Sequence, residues 1–206
     1  MISENIIYGK KTILIPFQME IDSDLFVKLH RADKRGYMMN FCFKEMTQDQ
    51  AIKYTKALIM TERIKVWTVI TKDGRDSETA GFIYLSDLTS TSANISGIMI
   101  SKHLKQAKKS LRFGAPSHVI DAMNSLIGAC FNEFGFNRIS AGLVKENILF
   151  FGIDKKIGFK QEGVLRKAFK VDDEFKDIII LSILKEEWNN GERSAESRDT
   201  KVQSAG

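Results

Sequence analysis

A mixed α/β fold, with a mostly antiparallel sheet of about seven strands flanked by about four helices, is predicted by three features of the sequence. Short β-rich segments and amphipathic stretches follow one another in the order β, α, α, β, β, β, α, β, α, β, β. Three consecutive strand segments are separated by turn residues alone, which makes them antiparallel neighbours. Hydrophobic residues make up 43% of the chain and charged residues 28%, enough for a packed core under a solvated surface and too apolar for a disordered polymer.

The first strand is read over 11–17, with Pro16 near its end, and a helix follows from Ser23, opened by Ser23 or Asp24. Thr47 caps a longer helix over 48–60, in which Ala51, Tyr54, Leu58 and Ile59 recur at helical spacing. The meander comes next, over 66–71, 80–85 and 93–100, punctuated by Asp73-Gly74 and the Ser/Thr-rich stretch 86–92. A basic run, Lys102, His103, Lys105, Lys108, Lys109 and Arg112, reads as a solvated loop before a helix over 116–134 that stops at Gly135. In that helix Val119, Met123, Leu126, Ile127, Cys130 and Phe131 share one face. A strand over 138–144, a helix over 148–157 ending at Gly158, and strands over 162–169 and 175–184 complete the order, the last two joined by an acidic turn with Asp172, Asp173 and Glu174. Residues 1–188 are expected to form a single domain, and 189–206, almost without apolar side chains, a disordered tail.

Several function classes are disfavoured by composition. No segment approaches the roughly 20 apolar residues that span a bilayer, and the opening residues lack a signal-peptide pattern, so the expected location is the cytoplasm. Cys42 and Cys130 read as buried thiols, and no His, Cys and carboxylate spacing resembles a metal site. A net charge of +5 suits an anionic small ligand as well as nucleic acid, but the basic run is flanked by the aromatic Phe113 alone, which argues against a nucleic-acid surface.

Residues 137–188 carry the most specific pattern: NRISAGLVKEN (137–147), KKIGF (155–159), an Glu162-Gly163 strand with Arg166, and a last strand running into Glu187-Trp188. This segment resembles the GNAT superfamily of N-acetyltransferases, particularly the branch of ribosomal-protein N-terminal acetyltransferases. The resemblance implies a GNAT-like sheet, acetyl-CoA as co-substrate, no metal, and an amine acceptor such as a protein N-terminus, a polyamine or an amino sugar, in a monomer or homodimer without nucleic-acid or membrane partners. It also implies a diphosphate-binding loop at the start of the helix after the basic run, where helix-start amides face an anion. That loop falls on Gly114, Ala115, Ser117, His118 and Val119, with Pro116 at the first helical position, and it departs from the family's glycine-rich pattern. Lys109 and Arg112 are then candidates for the phosphates, Ile98, Met99 and Ile100 for the strand along which the pantetheine arm lies, with amides near Gly97 and Ile98 polarising the thioester, and Asn147 for a side-chain contact or a helix cap.

For the chemistry, relatives place a tyrosine seven residues after the asparagine to protonate the departing sulfur; this chain has Asp154 there, so that acid reads as absent. Ile95 stands where a carboxylate is common. A protein base would come from Ser96, Tyr84, His118 or Glu62, with deprotonation through water as the alternative. The runner-up reading is a catalytically altered GNAT scaffold that binds CoA or another ligand, or regulates.

Overall fold

The computed structural model describes residues 5–32, 43–72, 77–114, 117–171 and 173–188. The Asp73-Gly74 turn, Cys42, Ala115, Pro116, Asp172 and the segment 189–206 lie outside the described residues. Eight strands form one sheet, β1 (Ile7–Tyr8), β2 (Thr12–Pro16), β3 (Ile64–Thr71), β4 (Thr79–Ser86), β5 (Ser92–Met99), β6 (Arg138–Val144), β7 (Lys160–Val171) and β8 (Glu174–Leu184). Their spatial order is β1-β2-β3-β4-β5-β6-β8-β7, and β5 with β6 is the parallel pair in an otherwise antiparallel ladder. Five α-helices join them: α1 (Met19–Ala32), α2 (Gln48–Met60), α3 (Ser101–Phe113), α4 (His118–Asn132) and α5 (Ile148–Ile157), with a 3-10 turn at Phe43–Glu45. The class is the expected one, with one more strand and one more helix.

The sheet buries both faces, so its central strands are continuous apolar runs rather than alternating ones. Phe82 and Tyr84 of β4 point to the side covered by α1 and α2, where they meet Phe26, Val27 and Phe43; Ile83 and Leu85 point to the side covered by α4, among Val119, Leu126, Ile127 and Phe131. Edge-to-face ring contacts hold the first core together, Phe26 lying 5.3 Å from both Phe17 and Phe82.

Local signals set several boundaries. Thr47 and Gln50 form a reciprocal capping box at α2: the Gln50 N–H donates to Thr47 Oγ1 at 3.3 Å, and the Thr47 N–H donates to Gln50 Oε1 at 2.9 Å. Gly158 ends α5 at φ 115°, a left-handed conformation that sends its N–H back to Asp154 and Lys155 and drops Phe159, 1% exposed, into the core. α1 begins at Met19 rather than Ser23, because Asp22 accepts from the Gln18 N–H and from Thr68 Oγ1, both at 2.8 Å, and so fastens the first turn to β3.

The basic run is the main correction. It is not a loop: α3 extends over it, with His103, Ala107 and Ser110 buried and Lys102, Lys105, Lys108, Lys109 and Arg112 outward or partly so. Leu104 and Leu111 pack on the α4-side core, and Gly114 caps the helix at φ 71°. The apolar stripe of Leu104, Ala107 and Leu111 at helical spacing outweighs the charge around it.

Candidate active site

β5 and β6 pair over three positions, Ser92 with Arg138, Ala93 with Ile139 and Asn94 with Ser140, and then part. Beyond this point each strand keeps its outer neighbour, β4 or β8, and loses its inner one. The Ile100 N–H donates to the Ala80 carbonyl at 2.8 Å. By the two-residue alternation of a strand, the peptide groups of Ile95, Gly97 and Met99 therefore turn the other way, into the opening. Edge groups this deep in a sheet need a partner, and a ligand with amides of its own can supply one.

A cavity of about 340 Å³ fills this gap, within the range of small-molecule sites. Its walls come from both sides of the split: Ile95, Ser96, Gly97 and Met99 of β5, and Ser140, Ala141, Gly142 and Leu143 of β6. α4 contributes Val119 and Met123, and α5 with its cap contributes Asn147, Phe150 and Asp154. Across it, β7 presents Leu165, Ala168 and Phe169. These reach inward because the β7–β8 register jumps between Leu165 and Phe169, with Lys167 at φ 50° and its N–H donating to Asp177. Asp87 stands exposed at the rim, at φ 49°, and accepts from Asn94 Nδ2 at 2.6 Å.

Of the residues singled out in the sequence, Ser96, Met99, Val119 and Asn147 meet at this cavity. Asn147 also caps α5, accepting from the Phe150 N–H at 3.5 Å, so the two readings of it hold together as geometry. Tyr84 does not reach the cavity; it is fully buried in the opposite core, 6.2 Å from the Phe26 ring. Ile98 belongs to that same core, and Ile100 turns its N–H to β4. Glu62 is exposed at the end of α2, where it pairs with Lys65.

At the start of α4 two donors are already engaged. Ser117 caps the helix through the Ile120 N–H, and the His118 N–H donates to Gln106 Oε1 of α3 at 3.3 Å. His118 is 3% exposed and faces α3, its Nδ1 lying 3.3 Å from that of His103, whose Nε2 lies 3.3 Å from Glu78. Gly114 serves as the α3 cap, and Lys109 and Arg112 lie exposed on that helix, the Arg112 guanidinium over the Phe113 ring. α3 thus takes, through Gln106, one of the helix-start amides of α4 that the sequence offered to a diphosphate.

Two ionisable residues of the lining that the sequence did not offer as site residues are Asp87 and Asp154. Asp154 is 1% exposed, and burial pushes its carboxyl up to about 8. Its signal was present as a lone acid in an otherwise apolar helix face beside Ile153. Glu162, part of the C-terminal motif, is a brace instead: Arg138 donates to both its oxygens at 2.8 and 2.5 Å and Ser182 Oγ to one, holding it down to about 2. Cys130 is buried, which pushes its thiol up and leaves it inert as a nucleophile. Among the described residues, no cluster of His, Cys, Asp and Glu is arranged to hold a metal ion, and no helix is long and apolar enough to cross a membrane.

A probable acetyltransferase of the GNAT family from Chromobacterium violaceum superposes with a TM-score of 0.70 at 19% identity, over 91% of this chain and 89% of that one. The fold is the GNAT fold. Spermidine N-acetyltransferase from Vibrio cholerae, solved with CoA and spermine, shares the GNAT fold at a TM-score of 0.70 and 17% identity, over 86% of this chain and 97% of that one. In sequence, an uncharacterised N-acetyltransferase of Bacillus subtilis, YnaD, is 35% identical over 69 residues, which are 34% of this chain and 41% of that relative. The chain therefore matches less than half the length of that relative. No family model matches the sequence.

Proposed function

We propose that this chain is an N-acetyltransferase that moves acetyl from acetyl-CoA to a primary amine by direct attack. The observation that carries the reading is the parting of β5 from β6, which leaves the peptide groups of Ile95, Gly97 and Met99 facing a through-sheet cavity. A pantetheine arm has the hydrogen-bonding character of a peptide and fits such an edge as an added strand. The relative named an N-acetyltransferase and the GNAT-fold enzyme solved with CoA and spermine support it.

The roles of this chain's residues follow from their places. The Gly97 N–H, directed at the cleft, polarises the thioester carbonyl and steadies the oxyanion of the tetrahedral adduct. Asn147 closes the donor side of the cavity at the start of α5. Ser96 lies opposite Tyr84 in the β4–β5 register, hence on the α1–α2 face of the sheet, and Asp87 stands at the rim. The acceptor enters from that side: the Asp87 carboxylate draws a cationic amine, which reaches the carbonyl carbon after giving its proton to water. A polyamine, with a second charge left to pair with Asp87, is the acceptor class this rim suits best.

A second reading, a scaffold that binds a ligand without transfer, is favoured by the start of α4, where Gln106 and Ser117 already take two amides that a diphosphate would use. Calorimetry with CoA, followed by thiol release across a panel of polyamines, amino sugars and peptides, separates the two. Binding with acetyl transfer supports the enzyme. Binding with no transfer to any amine gives the scaffold, and no heat with CoA removes the transferase.

A further inference from the structure

α5 brings one carboxyl into the wall of the cleft, and among the described residues nothing pairs with its Oδ2. Asp154 is 1% exposed, lines the cavity, and its Oδ2 has no hydrogen-bond partner. A buried, unpaired carboxylate is among the most unfavourable groups a fold can carry, so the carboxyl keeps its proton. Burial accordingly holds it at about 8, and the charge of no neighbour enters. The other ionisable group of the lining is Asp87, at the rim. On the packed elements, Lys156 of α5 donates to Ser110 of α3, His118 faces His103, which in turn meets Glu78, and Asp121 of α4 is committed to the β1–β2 turn.

A neutral carboxyl is a hydrogen-bond donor, unlike a carboxylate. Among the described residues none offers Oδ2 an acceptor, so the donor is left for the molecule that occupies the cavity. Simple packing does not account for it, since an apolar or amide side chain would fill the same space without a titrating group.

We propose that Asp154 is the acid of the transfer, protonating the coenzyme sulfur as the acetyl group leaves it. This rests on the transferase reading given above. The amine nitrogen bonds to the carbonyl carbon, the C–S bond breaks with its electron pair on sulfur, and the Asp154 O–H proton moves to that sulfur to give the free thiol. The N–H proton lost as the amide forms returns through water to the carboxylate, so the enzyme ends as it began.

The test compares the wild type with Asp154→Asn, which keeps shape and a donor but has no acidic proton, and Asp154→Glu. With acetyl-CoA and an accepted amine, D154N lowers kcat by about 100-fold with KM within about two-fold, and D154E restores part of it. The wild-type kcat falls above about pH 8 and D154N loses that limb. Independently of turnover, the ¹³C carboxyl resonance of Asp154 moves when CoA is added and not when desulfo-CoA is added. Normal kcat with an unchanged pH profile in D154N, or identical resonances with the two coenzymes, overturns the role of Asp154 while leaving the transferase intact. Absence of calorimetric heat with CoA in the wild type overturns both.

Discussion

Replacing Asp154 with Asn removes a titration that the fold suppresses, and the size of the effect follows from its surroundings. The ordinary value for an aspartate is 3.8, and burial raises that of Asp154 to about 8 in the folded protein. The native state therefore holds a proton that the unfolded chain releases between these two values. For a carboxyl raised in this way, folding is favoured at acid pH, and the advantage is lost as pH climbs from about 3.8 through about 8, the reverse of the usual carboxylate. Each pH unit in that window changes stability by about 1.4 kcal/mol, so the wild type loses about 3 kcal/mol relative to D154N between pH 5 and pH 7. Taking this difference cancels the cost of burying the amide, which is the same at both pH values. Urea unfolding of the two proteins at pH 5, 6 and 7 reads it directly, provided both unfold in a single transition. If the gap between the two curves stays constant to within about 0.5 kcal/mol, Asp154 is charged or solvated in the native protein, and the neutral donor inferred for the cleft is wrong.

Other perturbations test the frame around the cleft. Asp121 of α4 accepts from the Lys11 N–H at 2.9 Å and from Thr12 Oγ1 at 2.7 Å, so Asp121→Ala is expected to cost about 2–4 kcal/mol in urea melts and to loosen amide protection in the β1–β2 turn. Asn147→Ala removes the cap of α5 and is expected to cost about 1 kcal/mol; a larger rise in the Kd for CoA than that loss explains marks the side chain as a ligand contact as well. Gln106→Ala frees the His118 N–H, and where a diphosphate uses the start of α4 it tightens CoA binding severalfold by calorimetry; unchanged affinity moves the diphosphate elsewhere. Asp87→Asn is expected to raise KM for a polyamine about ten-fold and leave that for a monoamine nearly unchanged, in the same thiol-release assay.

Most of the element order was legible because it is written in short-range chemistry. The bounds of β6 and α5 coincide with expectation, and α2 starts at its capping box, since Asn147, Gly158, Thr47 and Gln50 act on the backbone within one turn of themselves. β1, a two-residue strand, offers no period to detect and exists through its pairing with β2. α3 is hard to read for a different reason: five cations give 102–112 the composition of a solvated loop, while the helix rests on the spacing of Leu104, Ala107 and Leu111 and on the stop at Gly114.

The site lies at the other extreme, because what makes it a site is a pairing that fails to continue. Nothing local in 95–99 distinguishes a strand with two neighbours from one with a single neighbour; only the divergence after Asn94 and Ser140 does, and that depends on where β8 and the helices hold β6. The same dependence governs how Asp154 is read. In the sequence it stood where the resemblance placed a tyrosine, so the acid read as lost, an inference sound for an aspartate in water at pH 7. Enclosed on α5 beside the unpaired edge of β5, the residue keeps its proton because burial raises its carboxyl to about 8. An ionisable residue's type fixes which reactions are open to it, and its burial decides which it is poised to perform. A position of this kind is therefore judged by its solvation in the fold before the identity of the side chain can be read as loss or retention of function.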